Sequence, residues 1–224
     1  YRKALEYDEY GGYTKSFAYD TLNSIVGNRP ELAKDVLNTL KKALKSDKNN
    51  DYGMVHAYMV LGRIVKERPE LVEDVLDVLK EPFKSDKNGV DSLNEAYHVL
   101  RDIVDAKPKL AEDVLDTIKE YTESNNRYKN SIEYGLLACI AKRRPELAES
   151  VYSIFIKLYN NDRHIERNFN SAYNALRDIV KVKPELASAL SNTIMEGLQS
   201  NKSNDERSKW GRIALKINRD NAEM

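Results

Sequence analysis

Apolar positions along this chain fall into two interleaved sets, and both return on a period close to 39 residues. Counting from Tyr19, Tyr58, Tyr97, Tyr134 and Tyr173, the third residue on is Leu22, Leu61, Leu100, Leu137 and Leu176, and the sixth is Ile25, Ile64, Ile103, Ile140 and Ile179. The seventh is Val26, Val65, Val104, Ala141 and Val180. Positions spaced i, i+3, i+6 and i+7 trace one face of a helix, so each tyrosine heads the buried stripe of a predicted amphipathic helix A.

Eleven residues after each tyrosine stands a proline: Pro30, Pro69, Pro108, Pro145 and Pro184, at spacings of 39, 39, 37 and 39. A second apolar set follows it. Leu32, Leu71, Leu110, Leu147 and Leu186 lie two residues on, Val36, Val75, Val114, Val151 and Leu190 six on, and Leu40, Leu79, Ile118, Phe155 and Ile194 ten on. These predict a helix B that opens on proline, where the missing N–H costs nothing and the fixed φ already suits a helix. The same proline drives the preceding residue out of the α region and so ends helix A. A base stands before it (Arg29, Arg68, Lys107, Arg144, Lys183) and an acid after it in four of five cases (Glu31, Glu70, Glu146, Glu185), each charge matching the helix end beside it. Polar segments such as Lys45–Asn49 and Lys84–Asn88 then read as loops with capping residues.

Self-similarity on this period predicts an array in which each unit packs on its neighbours. The repeats span about 13–50, 51–91, 92–129, 130–167 and 168–204, all within a single domain covering 1–224. A sixth, unfinished unit at 205–224 carries Trp210 in the tyrosine slot, with Ile213 three residues on and Ile217 seven on. Residues 1–12 read as the tail of an earlier helix B and a Gly11-Gly12 turn. The chain opens on Tyr1, so it reads as a piece of a longer protein.

Two helices per unit, this period and a leucine, isoleucine and valine seam resemble the HEAT and armadillo-like α-solenoids, over residues 13–217. The chain lacks the 34-residue period and opening motif of tetratricopeptide repeats, and its proline heads helix B instead of lying inside helix A as in many HEAT units. The resemblance implies an all-α, right-handed α-α superhelix whose B helices line the concave side and bind other macromolecules.

Charge narrows the partners. Lys and Arg number 36, as do Asp and Glu, so the net charge is zero and bulk charge asks for neither a phosphate backbone nor an anionic membrane. The apolar runs are too short to span a bilayer. A lone cysteine, Cys139, forms no internal disulfide, which fits a reducing, cytoplasmic setting, and its place on helix A reads as packing. His56, His98 and His164 stand in different units, and no phosphate-binding glycine motif occurs, so no catalytic, cofactor or metal residues are expected. Alkylpurine DNA glycosylases also use HEAT-like repeats, but with a basic cleft and tryptophans that this chain does not offer.

The expectation is therefore a non-catalytic scaffold that binds a protein or peptide on the helix-B face. Two features point there. Asp77 and Asp116 extend an acidic strip on helix B beyond the first turn, where helix-end electrostatics no longer explain them, and would suit a basic peptide. The fourth helix B is apolar nearly all round (Val151, Tyr152, Ile154, Phe155, Ile156, Leu158, Tyr159), and Ile156 and Met195 replace the lysines of the first three units (Lys41, Lys80, Lys119). This apolar excess is expected to meet the 160–171 segment, an oligomer mate or a partner, with Tyr152, Ile156 and Met195 as anchors. The recurrent tyrosines are expected in the core; Tyr13, Tyr52 and Tyr128 are expected against the first turn of helix A. Alternatives are nucleic-acid binding through the corner bases Arg68, Lys107, Arg143, Arg144 and Lys183, and a structural spacer that self-associates through its ends.

Overall fold

The computed structural model describes residues 12–45, 51–83, 89–124, 131–161, 165–199 and 204–222. The expectations for residues 1–11, the polar segments 46–49 and 84–88, Tyr128 and His164 fall outside them. The described residues form eleven α-helices and no strands. Those of type A are α1 (Gly12–Asn28), α3 (Asp51–Glu67), α5 (Val90–Ala106), α7 (Ser131–Arg143), α9 (Ile165–Val182) and α11 (Asn204–Ala222). Those of type B are α2 (Ala33–Lys45), α4 (Val72–Phe83), α6 (Ala111–Ser124), α8 (Ala148–Asn161) and α10 (Leu186–Gln199).

The proline corners form as the sequence dictates, with one refinement. Arg29, Arg68, Lys107 and Arg144 take φ between −144° and −137° and ψ between 71° and 79°, outside the α region. Each first closes the helix before it, its N–H reaching the isoleucine carbonyl four residues back at 2.7–2.8 Å. The next three residues make a 3₁₀ turn (Pro30–Leu32, Pro69–Leu71, Pro108–Leu110, Pro145–Leu147), and the α-helix starts only afterwards. The cause is the corner residue's extended backbone. The leucine N–H bonds its carbonyl three residues back, as Leu32 does to Arg29 at 3.0 Å, and this tighter ring opens the helix.

Packing follows the predicted stripes. Tyr19, Tyr58, Tyr97, Tyr134 and Tyr173 are all buried, as are Leu61, Leu100 and Leu137 behind them and Leu40, Leu79, Ile118 and Phe155 on the B helices. Burying each such side chain contributes about 1.5–3 kcal/mol of transfer free energy. Tyr52 departs from expectation: it lies half exposed, its ring edge-on to His56 at 4.8 Å on its own helix.

Successive A helices lie close together, α1 on α3, α3 on α5, α5 on α7 and α7 on α9, whereas successive B helices meet only sparsely. Ion pairs and a histidine–carboxylate hydrogen bond mark the register of the close layer. Lys66 Nζ lies 3.1 Å from Asp102, Lys142 Nζ 2.7 Å from Asp178, and His56 Nδ1 2.7 Å from Asp20.

The apolar fourth helix B is covered from within the chain. Trp210 of α11 packs on Tyr159 of α8 with ring centroids 4.7 Å apart; the Tyr159 hydroxyl donates to the Lys209 carbonyl at 2.9 Å, and Trp210 Nε1 donates to Asn160 at 3.2 Å. The 160–171 segment is itself largely helical, since α9 begins at Ile165.

Candidate binding surface

On the B layer, α4 and α6 enclose a groove of about 470 Å³, lined by Lys80, Phe83, Asp113, Asp116, Thr117, Glu120 and Tyr121. Phe83, the last residue of α4, has two ring partners. It stands edge-on to Tyr121 at 5.4 Å and to Tyr97 at 5.5 Å, and all three rings are buried. Thr117, also buried, turns its hydroxyl to the Asp113 carbonyl at 2.8 Å. The walls are thus apolar and the rim is acidic.

Lys80 is the rim's one cation among the lining residues, and its Nζ lies 3.8 Å from both Asp77 and Asp113. Of the two acids chosen from sequence, Asp116 lines the groove, whereas Asp77 lies outside its lining, three residues before Lys80 on α4. The other three candidates lie elsewhere in the layer. Tyr152 is buried on α8, its hydroxyl 3.1 Å from Thr193 Oγ1 and its pKa raised by burial; Ile156 is half-buried against the core; Met195 on α10 is 53% exposed. Of that apolar trio, Met195 is the exposed member.

The corner bases are engaged. Arg29, Arg68 and Arg144 each bond the glutamate just past their own proline (Glu31, Glu70, Glu146). Arg68 and Arg144 also donate to the carbonyls of Pro30 and Pro108, one unit back, while Lys107 pairs with Glu73 and Lys183 with Glu149 across the same gap. Arg143 pairs with Asp105 at 2.8 Å. Phosphates would have to compete with these carboxylates. The partners leave their mark on the acids: the Lys107 ammonium holds Glu73 below the usual carboxylate range, Arg144 does so for Glu146, and Lys183 for Glu149. Their stabilising contribution is present above the ordinary carboxylate range and is lost as pH falls through the lowered values.

On the A layer a groove of about 640 Å³ runs between α7 and α9, lined among others by Asp105, Cys139, Lys142, Arg143, Asn174 and Asp178. The Cys139 thiol donates to Asp105 Oδ1 at 3.6 Å. Burial, with the Asp105 charge beside it, pushes that thiol up from 9.0 to about 11. At pH 8 its thiolate fraction is about 100-fold below that of a free thiol. Alkylation with iodoacetamide is expected to be correspondingly slow in the folded chain and faster in Asp105→Asn; equal rates in the two would remove Asp105 as a cause. Among the described residues no group of His, Cys, Asp and Glu is arranged to hold a metal ion, and no helix is long and apolar enough to cross a membrane.

Phe83, Glu120 and Tyr121 were not singled out from the sequence, and Lys80 was read only as a recurrent lysine. Their signal was weak: aromatic residues near the ends of two consecutive B helices, in slots that align only once the helices are docked. Compared with known proteins, the chain matches no family model, no curated sequence and no solved structure.

Proposed function

We propose that this chain is a non-catalytic, HEAT-like scaffold, a right-handed α-α superhelix of five helical hairpins and a partial sixth, that binds a basic protein segment on its B face. The groove between α4 and α6 carries this reading. An arginine or lysine of the ligand would bring its charge to Asp116, Asp113 and Glu120, displacing Lys80. Because the A helices pack more closely than the B helices, the B layer would fan out on the outer side of such a superhelix, opposite to the side implied by the family resemblance. That splay is what leaves a gap between α4 and α6 for a ligand.

The test is fluorescence anisotropy with labelled peptides carrying two or three consecutive arginines, against sequence-matched peptides with the arginines replaced by glutamine. Asp77→Lys/Asp116→Lys is expected to weaken binding of the arginine peptides at least about tenfold, as loss of a charge-assisted contact does, and Lys80→Ala to tighten it. Equal affinity for the two peptide sets, or an unchanged affinity in the double variant, would refute the groove as the site.

A further inference from the structure

The B layer is divided by charge. α2 holds four lysines and one aspartate, whereas α6 holds five acids and one lysine. Between them, the described acids of α4 are matched within the chain: Glu73 by Lys107 at 2.7 Å and Lys109 at 3.3 Å, Asp74 by Lys34, and Asp77 by Lys80 at 3.8 Å. The charges left over therefore stand on either side of α4, positive on α2 and negative on α6.

Lys41 and Lys42 of α2 are exposed, as are Glu112, Asp116 and Glu120 of α6, and none of these five forms an ion pair among the described residues. Each face carries one exposed counter-charge, Asp35 on α2 and Lys119 on α6. Register explains why Lys41 is left over. Lys80, in the same slot eleven residues past its proline, reaches forward to Asp113 of the next B helix at 3.8 Å. The matching acid for Lys41 is Asp74, and Lys34 already holds it. Lys41 therefore belongs to the α4 side of its helix, and its lack of a partner does not depend on what precedes α1.

Surfaces of opposite sign lying side by side on one face are complementary to their own copy. We propose that a second copy of this chain docks face to face on the B layer about a two-fold axis parallel to α4, so that α2 of each molecule lies over α6 of the other. Such an axis keeps the facing helices parallel, and equivalent turns meet. Lys41 and Lys42, eleven and twelve residues past Pro30, come to Asp116 and Glu120, eight and twelve past Pro108. α4 faces its own copy with its described acids already neutralised. The contact is isologous and closes at the dimer. It consists of exposed ion pairs along a few helix ridges, so the association is weak and falls with added salt. It shares Asp116 and Glu120 with the peptide reading above but does not rest on it, since Lys41 and Lys42 lie outside the groove.

Sedimentation velocity on the full 224-residue chain tests this, up to roughly 1 mM protein and at about 0.01 M and about 1 M salt, where the Debye length falls from about 30 Å to about 3 Å. The expected result is a weight-average sedimentation coefficient that rises to a plateau at dimer in low salt and stays at monomer in high salt. Lys41→Glu/Lys42→Glu and Asp116→Lys/Glu120→Lys should each be monomeric alone, with unchanged circular dichroism. Mixed together they should dimerise, because each charge pair is restored with its signs exchanged. Anisotropy of the arginine peptides on Lys41→Glu/Lys42→Glu reads the groove separately, so the dimer and the peptide site can fail independently. A monomer throughout the low-salt series, growth beyond dimer, dimers that survive Lys41→Glu/Lys42→Glu, or a mixture that stays monomeric would overturn the proposal.

Discussion

Gly197→Ala is expected to lower the melting temperature and shift the chain's tryptophan emission to the red. The reason is a close approach. A Cβ on Gly197 would lie 2.1 Å from Trp210 Cδ1 and 2.5 Å from its Cγ, far inside van der Waals contact, and the indole it meets is buried. The ring has no easy retreat, since Tyr159 packs on it and Asn160 accepts its N–H. Overpacking of this kind costs about 1–3 kcal/mol, and full loss of a buried tryptophan about 3–5 kcal/mol. Trp210 is the sole tryptophan, so its emission and its quenching by acrylamide report on the docking of α11 alone. Gly135→Ala is the matched control with the opposite sign. A Cβ there meets nothing within 4 Å, and removing a glycine from a helix interior is expected to stabilise by about 0.5–1 kcal/mol. If both variants move the melting temperature in the same direction, the close approach of α11 to Gly197 is not what fixes the last helix.

The second large effect is expected at Tyr97. Its hydroxyl donates to Glu133 Oε1 at 2.8 Å, from α5 to α7, and both residues are buried. Burial, and then the Glu133 charge, raise the tyrosine pKa well above its ordinary value, so the phenol remains a donor across the accessible pH range. Tyr97→Phe removes a hydrogen bond to a charged acceptor, an interaction of about 1.5–3 kcal/mol, and leaves a buried carboxylate short of a donor. The melting temperature of a chain this long should fall by roughly 3–12 °C. Adding Glu133→Ala, which restores the alanine that Ala57, Ala96 and Ala172 supply at this position in other units, should recover part of the loss. A double variant as unstable as the sum of the two singles would show that the hydroxyl and the carboxylate do not act as a pair.

Glu133 also shows where reading the sequence stops. The corners were legible because one residue type, proline, imposes two local constraints without help from tertiary structure. The five tyrosines were legible because their phase coincides with that of the leucines. The partner of the Tyr97 hydroxyl was not, because it comes from the next helix, 36 residues on, and needs the docking register. A trace of it was present. The slot before the tyrosine holds Ala18, Ala57, Ala96 and Ala172, but Glu133 and Lys209 break the run, and both are buried at 1% and 8% exposure. A charge in an alanine slot thus marked a polar contact inside the core. The acidic groove was half legible for the same reason. Asp77 and Asp116 stood out on single helices, while the pairing of Lys80 with Asp113 needed α4 and α6 side by side.

The sparse, sequential character of the packing has a consequence for how the chain folds. Nearly every substantial pairing joins helices adjacent or next-but-one in the chain, and the hydrogen bonds and ion pairs between helices link residues only 33 to 50 positions apart. Among the described residues no substantial pairing closes α1 onto α11. Loop-closure entropy is therefore incurred in small instalments, each offset by the contacts of one newly added helix, and refolding should be fast for a protein of this length. A break in the middle would leave two fragments, each with its own buried tyrosines, whereas a break near either end would cost little more than the helix it removes.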